Sequence, residues 1–311
     1  MRLDKVNNII YIISIFLLLT IFIQITLGAW IRLTGSGMSC PDWPLCYGMF
    51  IPTYSKIILL ENISYSYYQI FLEWIHRANA AILIGPLCLI LSSIIIFNKS
   101  LSISFKKLSY ALLVLLMIQG LLGGLTVFKS NIPWSVAIHL ICAFLLFYVV
   151  LNIILNISIN EKNFFYIKNN IRVNIILSGI IAMITASLGS FTSKYGASLS
   201  CSKWPKCNDS LFPNISSSFE VIHFSHRLLA FILIIFLVLI FYKLFKYLSK
   251  MSDFFKIIYL LIPGIILLQV LVGALLIYFE VPIWMGVFHQ ASGLLLFSLI
   301  SIMLFYTKTK Q

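Results

Sequence analysis

The sequence predicts an all-α integral membrane protein, with eight transmembrane helices forming two pseudo-symmetric four-helix bundles and both termini cytoplasmic. Three observations carry this expectation. Apolar residues make up 61% of the chain and charged residues 10%, a balance suited to a bilayer rather than to water. Eight apolar runs centre near Ile15, Ile82, Val114, Leu146, Ile180, Ile234, Ile266 and Leu295. Most reach the roughly 20 residues that cross a ~30 Å hydrocarbon core as a helix. The second half also repeats the first: a shift of 150 residues carries His76, Gln119, Trp134, His139 and Phe147 onto His226, Gln269, Trp284, His289 and Phe297. Lipid supplies no hydrogen bonds, so each span must satisfy its own backbone as a helix.

The elements follow in order. The first run is too long for a signal sequence alone, and Gly28 to Arg32 offers no convincing small-residue cleavage site, so it is expected to remain as the first helix. Only a short stretch precedes it, which argues against an import peptide and for a bacterial cytoplasmic (inner) membrane. Upstream of the second run the repeat continues at a shift of 161. That shift carries Gly28, Gly35, Ser36, Cys40, Trp43, Pro44 and Cys46 onto Gly189, Gly196, Ala197, Cys201, Trp204, Pro205 and Cys207. The first outer loop is therefore 11 residues longer than its copy. Helices 2, 4, 6 and 8 start outside. A cytoplasmic linker near Asn156 to Ile171 joins a unit over 1–158 to a unit over 159–311. Each unit has an even number of spans, so the copies share one orientation, unlike inverted transporter repeats.

Charge supports this topology. The net charge of +13 would suit nucleic acid, but its distribution does not. Fourteen of the 22 cations (Arg2, Lys5, Lys99, Lys106, Lys107, Lys162, Lys168, Arg172, Lys243, Lys246, Lys250, Lys256, Lys308 and Lys310) fall on the side of the termini. Short loops there obey the positive-inside rule. The surplus orients the chain against anionic lipid, and no nucleic-acid partner is expected.

Four histidines carry the chemistry. His76 and His139 stand 63 residues apart, and so do His226 and His289. The topology brings each pair to a similar depth near the outer face. A neutral imidazole is a metal ligand, and two from facing helices can hold a haem iron from both sides. A lone histidine would be more simply a polar contact between helices. Ionisable groups are costly inside a membrane, however, and a pair repeated at equal spacing favours ligands. His223, the fifth histidine, has no copy in the first half and is evenly balanced between the two roles.

Glu73 precedes His76 by three residues and so shares its helix face. The matching residue in the second half is His223. Buried without a cation, this carboxylate would hold its proton more tightly and could move it. Ionised, it could stabilise developing positive charge. The plainer alternative is an acid offsetting a helix dipole, which is the expectation for Glu220. Arg77 and Arg227 follow the ligand histidines and could contact haem propionates or snorkel to the interface. For Arg32, snorkelling is preferred.

Cys40 and Cys46 bracket Pro-Asp-Trp-Pro-Leu, and Cys201 and Cys207 bracket Ser-Lys-Trp-Pro-Lys. Both pairs fall in outer loops, where thiols oxidise, and Trp-Pro favours a bent hairpin that brings them together. A disulfide in each loop is expected, either as a structural clip or as a redox-active pair. Zinc is the weaker alternative. Cys88 and Cys142 fall within spans and read as small buried residues.

Taken in order, the stretches Gly28 to Gly37 (GAWIRLTGSG), Cys40 to Cys46 (CPDWPLC) and Glu73 to Arg77 (EWIHR), together with the repeat, resemble the haem A synthase (CtaA/Cox15) family over the whole chain. The resemblance implies oxidation of the C8 methyl group of haem O to the formyl group of haem A, for cytochrome oxidase assembly. It implies that His76 and His139 hold the substrate haem, that His226 and His289 hold a permanent haem b, and that Glu73 is the catalytic acid. It matches the cysteine pairs to those of the family's outer loops. Haem O synthase would be the supplier, and electrons would leave to an external acceptor, because the chain has no dinucleotide fingerprint or soluble domain. A homo-oligomer is compatible with these expectations. Two other functions share the histidine pattern: a bis-histidine cytochrome b that only transfers electrons, and a haem transporter. The lone Glu73 favours the enzyme.

Overall fold

The computed structural model describes residues 2–158 and 163–309, with side chains from residue 6 onward. Lys162 and Lys310, and the side chains of Arg2 and Lys5, lie outside the described residues. The described chain is helical, and eight of its helical spans are long and apolar enough to cross a membrane. It divides into two compact units between Ile157 and Ser158.

The first unit contains α1 (Arg2–Leu33), a short α2 (Tyr54–Ile57), α3 (Tyr67–Ala78), α4 (Gly85–Phe97), α5 (Ile103–Phe128) and α6 (Pro133–Ile157). α3 and α4 form one span through a π-helical turn over Asn79–Ile84. Its cause is local. Pro86 has no N–H and its ring crowds the preceding turn, so the helix widens to pass it. The repeat puts Phe236 at the matching place, and the corresponding helix runs without a break. Packing closes a ring in which α1 meets α3, α4 and α6, α4 meets α5, and α5 meets α6. α6 is the most enclosed of the spans.

The second unit contains α7 (Asn169–Lys194), α8 (Ser218–Phe245), α9 (Asp253–Tyr278) and α10 (Ile283–Tyr306). α7 packs on α8 and α10, and α9 packs on α10. α8 and α9 meet where the Tyr259 ring stacks on Phe241, with centroids 4.3 Å apart, and its hydroxyl donates to the Phe241 carbonyl. Serines cap matched helices: Ser102 accepts from Phe105 N at α5, and Ser252 from Phe255 N at α9. Ser66 and Gln69 form a reciprocal capping box at α3. One feature was not expected from sequence. Within the predicted linker, Phe165–Ile167 forms a strand β1, which pairs in parallel with β2 (Thr307–Thr309). Arg172 ties this pair to α7 by donating to the Thr307 carbonyl. Three-residue strands carry too little pattern to be recognised in a sequence.

The loops after α1 and α7 start alike. Gly35 and Gly196 adopt positive φ, 68° and 80°. Each ends its helix in a Schellman turn, with Ser36 N bonded to Ile31 O and Ala197 N to Thr192 O, both at 2.9 Å. The chain then enters a disulfide loop, Cys40–Cys46 in one unit and Cys201–Cys207 in the other. Both Trp-Pro bonds, Trp43-Pro44 and Trp204-Pro205, are cis. In the longer first loop, Ile57 of α2 is buried with Cys40, Cys46 and Ile70, and Trp74 and Tyr65 pack around them. The extra residues thus wrap the disulfide in apolar surface. Cys88 and Cys142 are free and buried, as expected. Alkylation of the denatured, unreduced chain should therefore find two free thiols, and all six after reduction. More than two before reduction would show that a loop is not closed.

Candidate functional site

Each unit holds its paired histidines against glycines. His76, in the last turn of α3, faces Gly28 of α1, and His139 of α6 faces Gly123 of α5. In the second unit His226 of α8 faces Gly189 of α7, and His289 of α10 faces Gly273 of α9. A Cβ on these glycines would stand 3.4 Å from His76 Nε2, 3.6 Å from His139 Cε1, 2.8 Å from His226 Cε1 and 3.3 Å from His289 Cε1. The last two distances are tighter than ordinary contact, so a side chain at Gly189 or Gly273 would press on the ring. Within each pair the imidazoles lie in electrostatic range of one another.

These features suit a haem held between two helices. The donor set is two neutral imidazoles per unit, from helices that share a bundle. The Nδ1 atoms of His139 and His289 are buried and find no hydrogen-bond partner among the described residues. His226 Nδ1 lies 3.0 Å from the Thr185 carbonyl. A carbonyl only accepts, so Nδ1 carries the proton and the Nε2 lone pair is left for a metal.

Beside His76 stands Glu73, buried at 5% exposure. Its Oε2 accepts from Cys40 N at 2.8 Å and lies 3.0 Å from the Ser39 hydroxyl. Its Oε1 is 2.6 Å from Arg77 NH2. Glu73 is therefore buried beside a cation, not without one. The Cys40 N–H and the Arg77 guanidinium donate to the carboxylate, so Glu73 is arranged as an acceptor. His223 fills the same place in the second unit. The Cys201 N–H lies 3.4 Å from its Nδ1, and Arg227 Nε lies 3.1 Å from its Nε2. His223 is thus placed beneath the loop rather than between the paired imidazoles. Glu220, in the first turn of α8, accepts from Asn214 N at 2.8 Å, in keeping with a helix-end acid.

The arginines do something the sequence did not reveal. Arg77 donates to the carbonyls of Cys40, Asp42 and Leu45. Arg227 donates to those of Cys201, Lys203 and Lys206, at 2.7 Å, 2.9 Å and 3.0 Å. These are the same loop positions under the repeat. A propionate contact would have to share each guanidinium with these carbonyls. Ser39 and Ser200 bind matched carbonyls too, Ser36 and Gln69 in one unit, Ala197 and Phe219 in the other. Arg32 sits half-buried in the last turn of α1. Among the described residues no group of three or more His, Cys, Asp or Glu is arranged for a bare metal ion. With Cys40, Cys46, Cys201 and Cys207 joined as disulfides, the zinc alternative loses its ligands.

Sequence reasoning missed the facing glycines, Ser39 and Thr185. The repeat held a signal for the glycines, since Gly28 matches Gly189 and Gly123 matches Gly273.

Comparison with known proteins agrees with this architecture. A protein from Shewanella oneidensis named "Heme A synthase" is 28% identical, with 94% of each chain covered. One from Macrococcus caseolyticus with the same name is 30% identical over 91% of each chain. A third, from Staphylococcus epidermidis, is 29% identical over 90% of this chain and 89% of its own. The family model for COX15-CtaA, described as cytochrome oxidase assembly protein, matches residues 11–301. This chain belongs to the COX15-CtaA family.

Proposed function

We propose that the chain is a haem A synthase, a multi-pass enzyme of the bacterial cytoplasmic membrane that oxidises the C8 methyl group of haem O to the formyl group of haem A. The observation that carries this is a paired-histidine bundle built twice, with a carboxylate in one copy only, in a chain similar over nine-tenths of its length to proteins of that name. Both termini are placed in the cytoplasm, following the cations, which puts the disulfide loops on the outer side.

In this proposal His76 and His139 hold the substrate haem O, and His226 and His289 hold a resident haem b, which supplies one-electron redox chemistry. The protein's own part is binding, orientation and electrostatics. Apolar spans exclude water from the first unit. Glu73, held by the Cys40 N–H and Arg77, presents fixed negative charge beside the ligand His76, where it can stabilise positive charge that develops as electrons leave the substrate. Its three partners also keep it from swinging away, so its position costs nothing to organise during the reaction. In the second unit His223 occupies that place and no carboxylate does, so a haem there would persist unchanged. Electrons pass to an external acceptor.

Glu73 both anchors the loop and carries the charge, so its replacement must separate the two. Glu73→His copies the second unit's own arrangement. It should keep both disulfides and bound haem, but form haem A at least roughly a hundredfold more slowly, the scale of one lost electrostatic stabiliser. Pigment extraction and chromatography after expression with a haem O supply would measure this. Haem A at the wild-type level would remove Glu73 from the chemistry. Wild-type protein yielding no haem A or hydroxylated haem O would instead favour a cytochrome b or a transporter.

The glycines make a second prediction. Gly189→Ala puts a Cβ 2.8 Å from His226 and should release the haem of the second unit, whereas Gly28→Ala, at ordinary contact distance, should retain haem in the first. Haem content per chain by pyridine haemochrome assay distinguishes them. Equal retention by both variants would show that the glycines do not set ligand geometry.

A further inference from the structure

The two units treat the second histidine of each pair differently, through a glutamine and the residue one turn beyond the histidine. Gln119 and Gly123 lie one turn apart on α5, and Gln269 and Gly273 one turn apart on α9, so each glutamine shares the helix face that meets the histidine. In the first unit Gln119 Nε2 lies 3.2 Å from His139 Nε2. Either amide atom at that place would engage the same ring nitrogen. In the second unit the amide turns away from the ring. Gln269 Nε2 donates to the Ser292 hydroxyl at 2.5 Å and to the His289 carbonyl at 3.0 Å.

The cause is the residue one turn beyond the histidine. Ser292 bonds to the Phe288 carbonyl at 2.7 Å, which leaves its oxygen free to accept from Gln269. The repeat puts Cys142 at this position in the first unit. A thiol is a weak acceptor, and Cys142 Sγ is directed instead to the Leu115 carbonyl, 3.7 Å away. Without a hydroxyl to draw it off, the Gln119 amide goes to the imidazole. The other histidine shows the same bias. His226 is oriented by the Thr185 carbonyl, with Nε2 left as the ligand atom. The matching residue, Gln24, binds the His76 backbone carbonyl instead, at 3.0 Å, and the His76 ring turns Nε2 toward Gly28.

We infer that Cys142 and Ser292 are positioning residues that set how firmly each unit keeps its haem. Cys142 leaves Gln119 to compete with iron for His139, so the first unit yields its haem. Ser292 removes that competitor, so the second unit retains its own. This rests on the haem reading of the two pairs and deepens it. A turnover site must release a product as bulky as its substrate, whereas a resident site must not, and the difference here is one chalcogen atom.

The test uses the full chain in lipid nanodiscs loaded with protohaem, partitioned at equilibrium against graded apomyoglobin. His289→Ala confines haem to the first unit, and His139→Ala confines it to the second. In the first background Cys142→Ser should shift the partition toward the protein roughly fivefold, the weight of one net hydrogen bond. In the second, Ser292→Cys should shift it away by a similar factor. Adding Gln119→Leu should abolish the Cys142→Ser effect, which a packing change would not do, and the Soret band should report the altered His139 ligation. Partition indifferent to both exchanges, or a Cys142→Ser shift that survives Gln119→Leu, overturns this inference alone. Wild-type protein that binds no protohaem overturns the haem reading and this inference with it.

Discussion

A guanidinium bound to loop carbonyls organises each unit. Arg77 and Arg227 each reach from the helix, one residue past a paired histidine, and bind three carbonyls of a disulfide loop. Hydrogen bonds from a charged donor contribute about 1.5–3 kcal/mol each where water is scarce. Because the acceptors are backbone, the loop follows one path whatever its side chains. Pro-Asp-Trp-Pro-Leu and Ser-Lys-Trp-Pro-Lys fold alike for this reason. The fork geometry of arginine matters, because one ammonium could not serve three diverging carbonyls and a side chain at once. The disulfide closes the same loop covalently, and the arginine fastens it to the helix that bears the histidine.

That clamp decides what position 73 or 223 can do. The loop brings a backbone N–H, of Cys40 or Cys201, onto the side chain three residues before the paired histidine. Both a carboxylate and an imidazole can accept it, so the fold tolerates either. The choice is therefore released from structure and open to function. A glutamate adds fixed charge beside the first pair, and a histidine leaves the second pair without it. Much the same holds at Cys142 and Ser292, and at Gln24 and Thr185. Duplication preserved the bundle and its loops, while a few matched side chains came to differ where they touch an imidazole.

Much of this was legible in the chain alone. Eight spans follow from hydropathy and length, because lipid forces helices on any long apolar run. The histidine pairs, the lone Glu73 and both cysteine pairs follow from a repeat that needs only two shifts, 150 and 161, to be seen. For Glu73, however, the sequence left open whether a cation stands beside it. Arg77, four residues on, sits in the sequence as a histidine's neighbour, and nothing in that adjacency says that its fork turns toward Glu73 and the loop.

The sequence by itself determined membrane residence, the number of spans, the twofold repeat and the residue types available for iron ligation, since each depends on composition or spacing along one chain. Tertiary structure alone decided which groups those residues meet. Arg77 belongs to the disulfide loop, Gly189 gives His226 room to reach the Thr185 carbonyl, and Ser292 takes Gln269 away from His289. Those partners come from different helices, and a hydrogen bond a few ångströms long depends on how helices pack, which spacing along the chain does not encode. The sequence already set Glu73 against His223; the packing decided which groups each imidazole and its neighbours meet.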